Sequence, residues 1–96
     1  MRRLRDLIGA HLSDLGGVDA TSAAEQSIVR RAALLTVELE VMEVAFDKAG
    51  EASVKQLDCY QRTANSLRRL LESLGLKRRQ KEVTSLGEIL RGGLQT

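Results

Sequence analysis

The chain contains no proline, and between Gly17 and Gly50 it contains no glycine. That leaves one uninterrupted stretch, Ser22 to Lys48, with nothing to break a helix. At about 100° per residue, Ile28, Ala32, Leu35, Leu39, Met42 and Phe46 fall at steps of 4, 3, 4, 3 and 4 and form one apolar seam. Leu34, Val37, Val41 and Val44 form a second, roughly on the opposite side. A helix on a single core needs one apolar stripe, so the second needs a cover of its own. The spacing therefore predicts assembly, with Leu34, Val37, Val41 and Val44 as the subunit interface.

The rest of the chain supports an all-α protein. It is 96 residues long, with two aromatic residues, Phe46 and Tyr60, and many Leu, Ala, Glu and Arg. This composition favours helix over a β-sandwich or barrel. A chain this short buries little surface unless it oligomerises. Arg2 to Leu15 places Leu4, Leu7, Ile8, Leu12 and Leu15 on one face and meets a helix stop at Gly16-Gly17. Ser22 with Glu25 makes a capping box that opens the long helix, and Ser53 with Gln56 makes a second one. The helix after Ser53 carries Leu57, Tyr60, Ala64, Leu67, Leu71 and Leu74 as a heptad-like seam. With only Gly50 to Ala52 between them, the two helices are expected to pair antiparallel, setting Phe46 near Leu57 and Leu35 near Leu67 or Leu71.

Gly75 is expected to stop this helix, with Leu76 packing back on Leu71 in a Schellman-type ending. Lys77-Arg78-Arg79-Gln80-Lys81 then reads as a basic connector, and Ser85 with Glu88 as the cap of a short last helix presenting Leu86, Ile89 and Leu90. The expected organisation is an N-terminal amphipathic helix and turn over residues 1–20, a helical hairpin that oligomerises over 21–76, and a basic linker with a partner-docking segment over 77–96.

Charge is unevenly divided. Residues 21–50 hold three basic and five acidic side chains, whereas 75–96 hold five basic and two acidic. A basic tail suits nucleic acid or an acidic partner, though a solvated charge run is the commoner case. The DNA-contacting candidates are Arg2, Arg3 and Arg5, with Lys77, Arg78, Arg79 and Lys81. Arg30-Arg31 and Arg68-Arg69 spread too widely around their helices for one basic stripe. No convincing helix-turn-helix is present.

Catalysis has no obvious seat. One histidine, His11, and one cysteine, Cys59, lie far apart, and there is no phosphate loop, zinc pattern or HExxH. Glu38, Glu40 and Glu43 lack the Glu-x-x-His partner of a di-iron bundle and scatter around their helix. They read as flanking charges for Arg62, Arg68 or Arg69. The expectation is a non-enzyme without cofactor or metal. A lone cysteine allows no internal disulfide, and no apolar run approaches the roughly 20 residues of a membrane span. No signal peptide is legible either, which makes the cytoplasm the expected compartment and excludes a membrane partner.

The strings HLSDLGG (11–17), SIVRRAALLTVELE (27–40) and LDCYQRTANSLRRLLESLGLKRR (57–79), followed by VTSLGEIL, resemble short proteins of prophages and gene-transfer-agent-like clusters of alphaproteobacteria, similar to phage small terminase subunits. The resemblance implies a homo-oligomeric ring built through a central antiparallel hairpin. It also implies DNA packaging, in which the ring holds viral DNA and recruits the large terminase, the motor with ATPase and nuclease activities, often through the C-terminal segment. A typical member carries a helix-turn-helix domain ahead of the hairpin, where this sequence has some 20 residues. The expectation for double-stranded DNA is therefore weak, sequence-independent contact, gaining strength by repetition around a ring. Two rivals use the same residues: a structural or regulatory coiled-coil module, such as a dimeric four-helix bundle, and a small DNA-binding regulator using helix 1 and the start of helix 2.

Overall fold

The computed structural model describes the backbone of residues 2–94 and the side chains of residues 2–75. Three α-helices follow one another: α1 (Arg2–Asp14), α2 (Ala23–Ala49) and α3 (Val54–Leu94), with a single 3-10 turn at Val18–Ala20 between the first two. Among the described residues there is no strand.

Each boundary has a local cause. The Gly17 amide donates to the Leu12 carbonyl at 2.8 Å, satisfying one of the carbonyls α1 leaves open at its end. Gly16 and Gly17 take φ of 101° and 97°, a region that suits glycine and few other residues. At the start of α2 the Ser22 hydroxyl accepts from the Glu25 amide at 3.1 Å, while the Glu25 carboxylate accepts from the Ser22 amide. Gly50 ends α2 in the left-handed conformation (φ 76°), with its amide donating to the Phe46 carbonyl. Ser53 and Gln56 then form the same reciprocal pair ahead of α3.

The helices α2 and α3 form the expected antiparallel hairpin. The Tyr60 hydroxyl donates to Glu43 at 2.7 Å, and the Phe46 and Tyr60 rings meet edge-on with centroids 5.7 Å apart. Further along, Leu39 shares an apolar depression with Ala64, Leu67 and Leu71. Helix α1 returns along α2 in the opposite direction, so that Arg3 reaches Glu40 at 3.1 Å. Near the other end of α1, His11, Asp14 and Leu15 face Leu71, Leu74 and Gly75 of α3.

Burial is concentrated where the three helices meet. Val29, Ala32 and Ala33 are essentially inaccessible, and Val37, Leu39 and Leu74 are buried beside them. On a helical projection Ala32 and Leu39 belong to the α3-facing seam, whereas Val29, Ala33 and Val37 lie about 100° further round. One side of α2 thus serves α3 and the adjacent side serves α1. Alanine at positions 32 and 33 lets both neighbours approach closely, and replacing either by a larger residue would overpack the junction.

The expected stop at Gly75 is not used. Gly75 lies inside α3, outside the glycines with positive φ, so there is no Schellman ending there, no separate connector and no independent short last helix. The helix also crosses the boundary expected at residue 76. The physical reason is that an interior glycine costs only about 1 kcal/mol relative to alanine. Lys77-Arg78-Arg79-Gln80-Lys81-Glu82 are all good helix formers, and no proline intervenes.

Candidate functional site: the uncovered face of the long helix

After α1 and α3 have packed, part of the second face of α2 is still open. Leu34, Val41 and Val44 are 48%, 60% and 54% exposed. Val37, expected to lie in the same interface, is only 9% exposed. It lies under α1, and the interface expected at four residues is open at three. Arg3, Val37, Glu40, Val41 and Val44 together line a shallow apolar depression at the N-terminal end of α1. The Arg3–Glu40 pair marks how far the described part of α1 reaches along α2, and Val41 and Val44 lie past it on the same side.

Electrostatics around the strip differs from the sequence expectation. Glu40 pairs with Arg3 of α1, and Glu43 accepts from the Tyr60 hydroxyl. Arg62 pairs with Asp58, and Arg68 with Glu72, each one turn away on its own helix. No ion pair among the described residues joins Glu38, Glu40 or Glu43 to Arg62, Arg68 or Arg69. Partners four residues apart on one helix are already neighbours, so they meet at less entropic cost than side chains reaching across a hairpin. The Glu43 carboxylate at its hydroxyl pushes the Tyr60 phenol up from its ordinary value of 10.0.

The DNA-contacting candidates divide in two. Arg2, Arg3 and Arg5 are exposed along α1, and Arg3 is engaged with Glu40 through both its Nε and an Nη. The side chains of Lys77, Arg78, Arg79 and Lys81 lie outside the described residues, as do those of Leu86, Ile89 and Leu90 and the expected Ser85–Glu88 cap. His11 is half-buried and Cys59 exposed. Among the described residues no cluster of His, Cys, Asp or Glu could hold a metal, and no helix is long and apolar enough to cross a membrane.

The sequence reading missed the clasp between Arg3 and Glu40 and the burial of Val29 and Ala33. A signal was available. The stripe Leu4, Leu7, Ile8, Leu12 and Leu15 needs a cover as much as α2 does, and Val29, Ala33 and Val37 recur at four-residue steps facing one side.

No protein-family model, curated protein or solved structure matches the chain.

Proposed function

We propose that this protein is a DNA-packaging adaptor of the small-terminase kind, assembling as a homo-oligomer through the open face of α2 and recruiting a large terminase motor through its C-terminal segment. The observation that supports it most is the strip Leu34, Val41 and Val44, which stays exposed after both other helices have packed on α2. Half-exposed aliphatic side chains lined up on a rigid helix gain free energy when a second surface removes them from water. The resemblance of the sequence to small terminases supplies a use for such a surface, a ring. Arg2, Arg5 and the Lys77 to Lys81 cluster would then contribute weak phosphate contacts, repeated in each copy and weakening steeply with salt.

The test is binding to a large terminase. Deleting residues 82–96 should leave oligomerisation intact and abolish capture of the motor; equal capture by the truncated protein would remove the docking role of Leu86, Ile89 and Leu90. A second reading, a dimeric coiled-coil interaction module, draws on the same 4, 3 spacing of the α2 strip. Stoichiometry separates the two, since a closed assembly of many copies belongs to the adaptor and a dimer to the module.

A further inference from the structure

We infer that the outer face of α3 is a contact surface for the phosphate backbone of double-stranded DNA, carried by Lys55, Arg62 and Arg69. The inference rests on the proposed reading that the protein holds DNA, and adds a surface to the arginines of α1 and to residues 77–81.

At about 100° per residue, Lys55, Arg62, Ser66, Arg69 and Ser73 fall within about 60° of one another around α3, roughly opposite the Leu57-to-Leu74 seam. All of them are exposed. The cations recur every seven residues, so successive ones stand about 10 Å apart along the helix. Arg68 is turned about 100° away from its sequence neighbour Arg69, onto the rim of the depression over Leu39 and beside Glu72. Adjacent arginines thus serve different surfaces. Helices α1 and α2 meet α3 through Tyr60, Leu67, Leu71 and Leu74, on its other side.

The charge of the row is available. Neither Lys55 nor Arg69 has an ion-pair partner among the described residues. Arg62 is tied to Asp58 at 3.0 Å, one turn away, with its side chain 81% exposed. An exposed pair of this kind contributes little, and a phosphate can take the carboxylate's place.

The make-up of the row decides which partner fits. A protein interface is anchored by apolar and aromatic side chains that become buried, and this row has none. Arginine, lysine and serine side chains are groups that hold phosphate oxygens, and such contacts position a duplex without reading its sequence. Cations at a regular spacing, with hydroxyls between them, suit a polyanion of uniform charge. Because α3 does not break at Gly75, the row and residues 77–81 ride on one helix.

The test is the salt dependence with which the full chain binds a fluorescently labelled duplex of arbitrary sequence. Each phosphate contact adds about 0.9 to the magnitude of the slope of log K against log salt, so Arg69→Gln should lower it by about 0.9. Lys55→Gln, Arg62→Gln and Arg69→Gln together should lower it by about 2 to 3. Arg68→Gln removes the same charge one residue away and should leave the slope unchanged. Asp58→Asn frees Arg62 and should tighten binding about twofold at low salt. Glutamine is as good a helix former as lysine or arginine, so circular dichroism should find the same helicity in the glutamine variants. An unchanged slope in the triple variant, or an equal loss in Arg68→Gln, overturns this surface and leaves DNA binding through α1 or residues 77–81 standing. A parent chain that does not bind the duplex removes the reading and the surface together. Poly-glutamate bound more tightly than the duplex, with that binding lost in the triple variant, assigns the row to an acidic protein and overturns the DNA contact.

Discussion

The same substitution at two glycines should change stability in opposite directions. Gly75 lies within α3 at a helical backbone conformation, and a Cβ built there meets nothing within 4 Å. Gly75→Ala therefore adds a methyl group without collision, and it removes the propensity penalty of an interior glycine, about 0.8–1.0 kcal/mol. For a domain of this size a gain of 1 kcal/mol raises Tm by roughly 4–8 °C. Gly50 also has open space around a built Cβ, but its φ of 76° belongs to the left-handed region. There an L side chain costs about 1–2 kcal/mol, partly offset by about 0.4–1 kcal/mol from the less flexible unfolded chain. Gly50→Ala should accordingly lower Tm by several degrees. Circular dichroism melts of both variants beside the parent decide the matter. A lower Tm for Gly75→Ala would mean that Gly75 does end the helix, and a raised Tm for Gly50→Ala would mean that the hairpin turn is not left-handed. Either result refutes the reasoning, because space is equal at the two sites and only backbone conformation differs.

Other outcomes follow from the same geometry. Val41→Glu with Val44→Glu should dissociate the proposed assembly while helicity stays unchanged; re-burying two half-exposed valines is worth about 2 kcal/mol, so association measured by sedimentation falls at least about 30-fold. Ser22→Ala should cost about 1 kcal/mol in a urea melt, since it removes the hydroxyl that accepts from the Glu25 amide at the start of α2; a change below about 0.3 kcal/mol would deny the cap its role. Neutralising Lys77, Arg78, Arg79 and Lys81 should weaken nonspecific DNA binding and flatten its dependence on salt in a fluorescence titration. An unchanged slope would exclude that cluster.

Local signals were read directly from the sequence where the physics is local. Both capping boxes need only residues three apart, Ser22 with Glu25 and Ser53 with Gln56, and both formed. Gly50 ends α2 because glycine takes the left-handed backbone there without penalty, and the three residues that follow suffice to reverse the chain. The antiparallel hairpin follows from the two facing seams and that short connection, although Leu57 and Leu71 of the α3 seam stay 45% and 39% exposed. What lay beyond sequence was the choice among equivalent covers. The periodicity of Leu34, Val37, Val41 and Val44 says that the face needs a partner, and gives no way to distinguish α1 of the same chain from another subunit. The structure divides the face, with Val37 under α1 and the other three open. Gly75 does not stop α3 because its flanks outweigh it: a single interior glycine is a weak stop when strong helix formers follow. The expected inter-helix ion pairs do not form because Arg62 and Arg68 have acids one turn away on α3, and nearness along a helix outcompetes reach across it.

The central claim, that the open strip of α2 is an assembly surface between copies, is tested most directly by the native mass of the unaltered protein across a concentration series. Sedimentation equilibrium or native mass spectrometry should find a discrete species of more than two copies, growing at the expense of monomer as concentration rises. A single chain's mass at every concentration would contradict it.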